Sequence, residues 1–389
     1  MKVVCDRVAL LDAINLTAGV VANRTPRPQL TCVRVATTDA GELAISATDA
    51  EIALTLVMGK VDVQSPGEAL IPADKLRQIV SAEDNEPTLT IETEGDVCNI
   101  RGADAHFILH GFPASEFPDI PDFEAIVSGA GAAKPAKAVF SPPAGALTQL
   151  IVRTLFAASR ETSRYAVNGV LMKRDGKSLE MVATDGRRLA LNRTTVKSGD
   201  KGDGAVSCII PSKALSTLQK LMDEPDEPVQ VAITDNQAVF RVGGDDAPVR
   251  ATLTTNLVEG TFPPYEEVIP RDAEIKIAFD RDVMASAVKR AALLTNEESR
   301  GVRMAFHKSD KQLELSSRAP EMGEANIRVD LASYEGDDIE IGFNPQFITD
   351  ALKVIDEPSV TLELKGSSKP GLIRSGSDFT YVVMPVNFS

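Results

Sequence analysis

The chain has 389 residues, 43% of them hydrophobic and 25% charged, with a formal net charge of -15. That length exceeds one ordinary core, so two or three domains are expected, and the composition excludes a disordered chain. No stretch reaches the ~18 apolar residues of a membrane span. Cys5, Cys32, Cys98 and Cys208 stand far apart with no CxxC pair, which suggests neither a disulfide framework nor a thiolate metal site. Asp6, Arg7 and Asp12 interrupt the only early apolar stretch, so no targeting segment is expected and a cytoplasmic location is the simplest reading. The acidic total and the absence of Trp both oppose tight gripping of nucleic acid or base stacking.

In chain order, a short strand "MKVVC" leads into the helical pattern "RVALLDAINLTAGVVA". A proline then opens a second helix, "IPADKLRQIV". The pair recurs as "KAVF" with "PPAGALTQLIVRTLFAAS", followed by "IPSKALSTLQKLM". It recurs again as "IKIAF" with "DRDVMASAVKRAALLT", followed by "NPQFITDALKVI". The strand positions Val4, Phe140 and Phe279 and the prolines Pro72, Pro211 and Pro345 keep this spacing, as do Asp49 in "LAISATDAEIAL" and Asp185 in "LEMVATDGRRLAL". "LELSSRAPEMGEANI" is a weaker third copy. Period-2 stretches such as "VQVAITDNQAVFRV" and "VTLELKG" read as antiparallel strands. The expected class is therefore α+β, with three repeats that each pack two helices on antiparallel sheet. The boundaries fall at the Gly/Ala-rich "SGAGAAKPAK" and at "VIPRDAEI", giving domains 1–128, 129–270 and 271–389.

The charge is unevenly distributed. The six helix windows 8–22, 72–81, 143–159, 211–222, 281–295 and 345–355 hold nine Lys/Arg and four acidic residues, so the acidity belongs to strands and loops. In the fourth helix Leu215, Leu218 and Met222 form the apolar face and Lys213, Ser216 and Lys220 the polar one. For one helix this is ordinary solvation. Shared by six helices in three repeats, it predicts a positive helical side that could admit duplex DNA through weak, sequence-independent, salt-sensitive contacts.

Catalytic signatures are missing: no GxxxxGK[ST], HExxH, GxSxG or GxGxxG occurs. His106 and His110 in "HFILHGF" lie four apart on a predicted strand, about 13 Å, too far to share a metal ion. Asp185-Gly186 between two apolar runs is first a hairpin turn. An enzyme built on Asp185 and its arginines, or a protein-binding scaffold of repeats, remain the alternatives on the residues alone.

The segments "RYAVNGVL", "ATDGRRLA", "LVEGTFPPYEEVIP", "TNEESRGVRM", "IGFNP" and "YVVMP", in this order on a threefold repeat, resemble the bacterial DNA polymerase III beta subunit family, the replicative sliding clamps. The resemblance runs from residue 1 to the tail. It implies three clamp-type domains in each subunit and a head-to-tail homodimer closed into a ring, with helices lining the hole. Such a processivity factor encircles double-stranded DNA, needs no cofactor or metal, and has no catalysis of its own. The partners it implies are an ATP-driven clamp loader, the replicative polymerase alpha subunit, and other polymerases and repair proteins that dock by short peptide motifs.

Carried over to this sequence, the family's peptide pocket would use Val167, Thr184, Gly186, Arg187, Arg188, Leu189, Pro263, Val268, Val382 and Met384. An adjoining groove would use Asn344, Phe347, Pro385, Val386 and Asn387. Apolar anchors are expected to supply most of the affinity, with main-chain and arginine hydrogen bonds setting register. DNA contacts would come from Arg24 and Arg160; the helix cations Lys75, Arg77, Arg153, Lys213, Lys220, Lys289 and Arg290 are candidates by position. The dimer interface would pair Phe107 and Leu109 with Leu293, Leu294, Glu321 and Glu324. Arg187 replaces a histidine familiar in the family's best-known member, and Glu267 stands at a position that is often basic. The uncharged ending "TYVVMPVNFS" is expected to complete a sheet as far as Pro385, which cannot donate to a ladder, and then to run along the pocket.

Overall fold

A computed structural model of the chain describes residues 1–22, 24–130, 135–159, 161, 167–196, 205–244, 247–295, 301–319 and 322–386. The expectations at Arg160, Glu321 and Asn387 fall outside the described residues. Seven α-helices form among these residues: α1 (Arg7–Ala18), α2 (Ala73–Ala82), α3 (Phe123–Ser128), α4 (Ala144–Leu155), α5 (Ser212–Gln219), α6 (Arg281–Ala291) and α7 (Pro345–Lys353). Six are the expected ones. The addition, α3, is six residues long with only Phe123 and Ile126 buried, too short to show a helical period. Asp122 caps its start and Gly129, at φ 73°, closes its end.

Local chemistry starts the longer helices. The Asp6 carboxylate accepts from the Ala9 N–H at 2.9 Å, Asp280 accepts from Asp282 and Val283 at 2.9 Å each, and the Asn344 side chain accepts from Gln346 at 2.9 Å ahead of Pro345. The arginine after each aspartate then ties two helices together. Arg7 donates to the Val80 carbonyl (3.3 Å) at the end of α2 and to Glu86 O (3.1 Å). Arg281 donates to Ile355 O (2.6 Å), just past the end of α7. Each guanidinium thus satisfies carbonyls left open at a helix C-terminus, where a cation is favoured. The middle repeat has no arginine at that place; Arg250, from the strand Ala247–Asn256, donates to Leu221 O (3.4 Å) beyond α5.

The chain divides into two compact units, residues 1–148, 196–206 and 213–257 in one and 149–195, 207–212 and 258–389 in the other. The first holds two antiparallel sheets. One runs in the order Val61–Ser65, Lys2–Asp6, Thr88–Glu94, Val97–Arg101, His106–His110. The other has eight strands and joins Ile52–Met58 of the first repeat to Ala247–Asn256 of the second, in the register Leu54↔Leu253. In this unit α1 packs against α2 and over the strands Leu43–Thr48 and Ile52–Met58.

In the second unit a nine-stranded sheet joins Arg188–Thr195 to Phe379–Val383, with Ala190 opposite Tyr381. A four-stranded sheet runs Gly323–Asp330, Gln312–Ala319, Val302–His307, Ile339–Phe343, and α6 packs over its first two strands and against α7. Sheet hydrogen bonds therefore continue across the repeat boundaries, which is why the middle repeat contributes residues to both units. All four cysteines are buried and free. Burial raises the thiols of Cys5, Cys98 and Cys208 to about 12 and that of Cys32 to about 11, so none is a thiolate at neutral pH.

Candidate functional site

The hairpin turn at Thr184–Arg188 is held by its own side chains. Thr184 Oγ1 donates to Arg188 O (2.6 Å) and accepts from the Gly186 N–H (3.1 Å); Asp185 Oδ1 accepts from the N–H groups of Arg187 and Arg188, each at 3.0 Å. Gly186 sits at φ 84°, a left-handed conformation that glycine takes without strain. Asp185 is thus consumed as a turn former and as an ion-pair partner of Arg188.

Arg188 is the hub of this region. Its Nε donates to Asp185 Oδ2 (3.1 Å), Nη1 to Asp350 Oδ2 on α7 (2.8 Å) and Nη2 to Phe156 O (2.9 Å). The guanidinium carbon lies 4.4 Å from the Phe347 ring centroid and 5.5 Å from that of Phe156. Burial on its own would lower the pKa of Arg188, but the hydrogen bond to Asp350 and the nearby Asp185 outweigh it and hold the group above its ordinary value. Three of its five N–H donors are thereby engaged within the chain, and the guanidinium positions the turn against α7.

The turn, the strand that follows it, the loop Pro263–Val268 and the tail enclose one cavity of about 320 Å³. Val167, Thr184, Gly186, Arg187, Arg188, Leu189, Pro263, Val268, Val382 and Met384 all line it, together with Asp185, Pro264, Tyr265 and Glu267. Its floor is firm: Leu189, Val382 and Tyr265 belong to a buried cluster with Leu171, Val182, Leu191, Ile209 and Leu372. Its mouth is apolar and open to solvent, with Val268 50% and Met384 43% exposed. Tyr265 anchors the loop by donating its hydroxyl to Glu180, which Arg193 also engages. Burial, and then the Glu180 carboxylate, push the Tyr265 phenol well above its usual range, so it stays a donor.

The tail behaves as Pro385 demands. Phe379–Val383 is the last strand, the Met384 N–H still reaches Arg187 O (2.9 Å), and beyond the proline Val386 donates to Gly342 O (2.9 Å). Pro385 and Val386 are half-buried; Asn344 caps α7 and Phe347 lies under Arg188, so neither of these two lines the cavity. No sequence expectation falls on Pro264 or Tyr265, and Glu267 is marked there only as an acidic residue at an often basic position. The signal these three carry is their place beside Pro263 and Val268 in "LVEGTFPPYEEVIP", one of the segments that carry the resemblance. Nothing local marks Asp350, which is brought to Arg188 from 162 positions away.

The candidate DNA cations separate into two groups. Arg24, Lys75, Arg77, Lys213, Lys220, Lys289 and Arg290 are exposed. Lys213 is engaged with Asp49 at 2.6 Å and Arg77 with Asp74 at 3.7 Å. Arg153 is the correction: it is 4% exposed and paired with Asp356 (3.2 Å) and Glu357 (3.6 Å), with its carbon 5.8 Å from the Phe379 centroid, so it is withdrawn from any phosphate. Of the candidate interface residues, Phe107, Leu109 and Leu294 are half-buried, and Leu293 and Glu324 are exposed. Glu83, Glu86 and Asp104, in the first unit, bring carboxylate oxygens within 4.8 Å of one another, the one acidic group among the described residues with cation-like spacing. No described helix is long and apolar enough to cross a membrane.

Three family profiles match the chain in succession: DNA polymerase III beta subunit, N-terminal domain over residues 1–121, central domain over 143–264 and C-terminal domain over 266–387. The beta sliding clamp of Pseudomonas aeruginosa is 32% identical over 388 residues, covering 99% of this chain and 100% of the relative. The chain belongs to the DNA polymerase III beta subunit family, the beta sliding clamps. The Escherichia coli K12 beta sliding clamp is 29% identical across the same shares of both proteins. Among solved structures, a griselimycin-bound sliding clamp of Pseudomonas aeruginosa superimposes with a TM-score of 0.88 at 31% identity, covering all of both chains. The chain is accordingly built of three clamp-type domains.

Proposed function

We propose that this beta-clamp family member is a DNA sliding clamp: a non-catalytic processivity factor that closes as a head-to-tail homodimer around duplex DNA and tethers polymerases by short peptides. The observation that carries the peptide site is one apolar cavity that ten resemblance-assigned residues line together. Partner peptides would fill it with apolar anchors, at about 25 cal/mol per Å² removed from water. Asn344, Phe347, Pro385, Val386 and Asn387 would form the adjoining groove. The alpha subunit of the polymerase, the ATP-driven loader and repair proteins are the partners in this reading. A chain with net charge -15 then requires no tight grip on DNA, because retention is topological and only a few exposed helix cations need to approach phosphate.

Two sheet edges that are unpaired among the described residues support the dimer. His106–His110 ends the five-stranded sheet and Gly323–Asp330 ends the four-stranded one, and bare edges invite strand pairing with another chain. Ile108 is 56% exposed on the first; Met322, at 66%, directly precedes the second, and Leu293, at 76%, lies in the turn Ala292–Leu294 that packs against it. Phe107, Leu109, Leu294, Glu321 and Glu324 would complete the contact. On nicked circular DNA, clamp loaded by its loader should remain bound and should run off after linearisation; equal retention on both forms would end the topological reading. Light scattering should give twice 41.6 kDa at micromolar concentration, and a stable species of 41.6 kDa would refute the closed dimer.

A further inference from the structure

We infer that Glu267 and Arg187, the two unpaired charges of the cavity lining, select a dipolar peptide, with a basic residue on one side of its apolar anchor and an acidic residue on the other, and so fix the direction in which the peptide lies. This rests on reading the cavity as a peptide site. Four charged residues line it. Two are already engaged: Asp185 and Arg188 pair with each other, and Arg188 also pairs with Asp350, which Lys353 approaches at 3.7 Å. The other two, Arg187 and Glu267, are exposed, and among the described residues neither side chain has an ion pair or hydrogen bond. The neighbouring Glu266 is taken by Lys173 at 3.6 Å, which leaves Glu267 as the free carboxylate of its loop.

The two charges stand on different walls. Arg187 is tied through its carbonyl to the Met384 N–H, on the wall made by the turn and the tail. Glu267 belongs to the loop that Tyr265 fastens to Glu180, directly before the exposed Val268. Each wall therefore presents one exposed apolar side chain and one free charge of opposite sign. A peptide whose apolar anchor fills the cavity must pass both walls. Charges at an apolar mouth act through a lower effective dielectric than bulk water, and they discriminate among ligands more than they add affinity. A peptide laid in one direction meets two attractions and in the other two repulsions.

Fluorescein-labelled eight-residue synthetic peptides with a Leu-Leu anchor test this by anisotropy, with flanks Lys/Glu, Glu/Lys or Ala/Ala. Wild-type protein should bind one charged order about fivefold tighter than the other at low salt, and the preference should shrink at high salt. The double variant Glu267→Lys, Arg187→Glu alters only exposed side chains and should reverse the order. Equal affinity of the two orders, or an unreversed preference in the double variant, overturns the inference. If the Ala/Ala peptide binds and Met384→Glu abolishes its binding, such a failure leaves the cavity reading standing. If none of the three peptides binds, the reading and the inference fall together.

Discussion

The turns at Thr48–Ile52 and Thr184–Arg188 are the same object in two repeats, put to different use. In the first, Thr48 Oγ1 donates to Ile52 O (2.8 Å) and accepts from Ala50 N–H (3.0 Å), while Asp49 Oδ1 accepts from Glu51 (3.0 Å) and Ile52 (2.8 Å). Bond for bond this is the pattern at Thr184 and Asp185. The third residue is left-handed in both, at φ 76° for Ala50 and 84° for Gly186. The difference lies in the fifth residue. Ile52 turns into the core at 3% exposure, whereas Arg188 reaches outward to Asp350, Phe156 and Phe347 and makes one wall of a cavity. A local motif fixes a backbone; what it does for the molecule depends on one side chain and on what the fold brings to meet it.

The comparison can be broken most severely at Arg188. Arg188→Ala leaves Asp185 and Asp350 facing each other without their cation and should cost about 3 kcal/mol in urea denaturation. It should also weaken peptide binding, since α7 and the turn lose their tie. Because the folded pKa of Arg188 is raised, its contribution is present below the unfolded value and is lost only as pH rises through the folded one, so the loss should be the same at pH 7 and pH 9. A loss confined to one of these pH values would contradict the assignment.

Removing the shared hydroxyl tests whether the two turns are equivalent. Thr48→Val and Thr184→Val should each cost about 1–2 kcal/mol, since both remove a buried two-bond bridge. Only the second should also reduce peptide affinity. Changes at the left-handed position should be of opposite sign: Ala50→Gly stabilising by about 0.5–1 kcal/mol, Gly186→Ala destabilising by a similar amount. No atom lies within 4 Å of a Cβ placed on Gly186, so the cost there is conformational, and peptide binding measured by anisotropy should survive it. The smallest effect belongs to Lys213→Ala. Its partner Asp49 is the counterpart of Asp185, but Lys213 is 48% exposed, so the pair should contribute about 0.5 kcal/mol at low salt and nothing measurable at 1 M salt.

Much of the architecture was legible because it is written locally. The prolines that open α2, α5 and α7 and the Thr-Asp turns recur at the repeat spacing, and Asp6 and Asp280 stand ahead of the first helix of the outer two repeats. The aspartate caps and the turns are closed by bonds within four residues. The cavity residues were reached through the family resemblance; composition and periodicity alone gave only a hairpin at Asp185. Arg153 shows the limit most clearly. On α4 it sits among apolar residues with nothing in the helical spacing to distinguish it from a solvated cation, yet Asp356 and Glu357 arrive from some two hundred residues away and bury it.

The sequence by itself determined the threefold repeat, the helix starts, the turns and the strand that Pro385 ends. Hydrogen-bond geometry and φ preference act over a few residues and leave their mark in residue type. Only the tertiary structure decided that Arg188 meets α7, that Tyr265 fastens the loop to Glu180, that Arg153 is withdrawn from solvent, and which of four lining charges stay free. Those outcomes depend on which distant surfaces pack together, and that is set by the sum of many weak apolar contacts carried by no single motif.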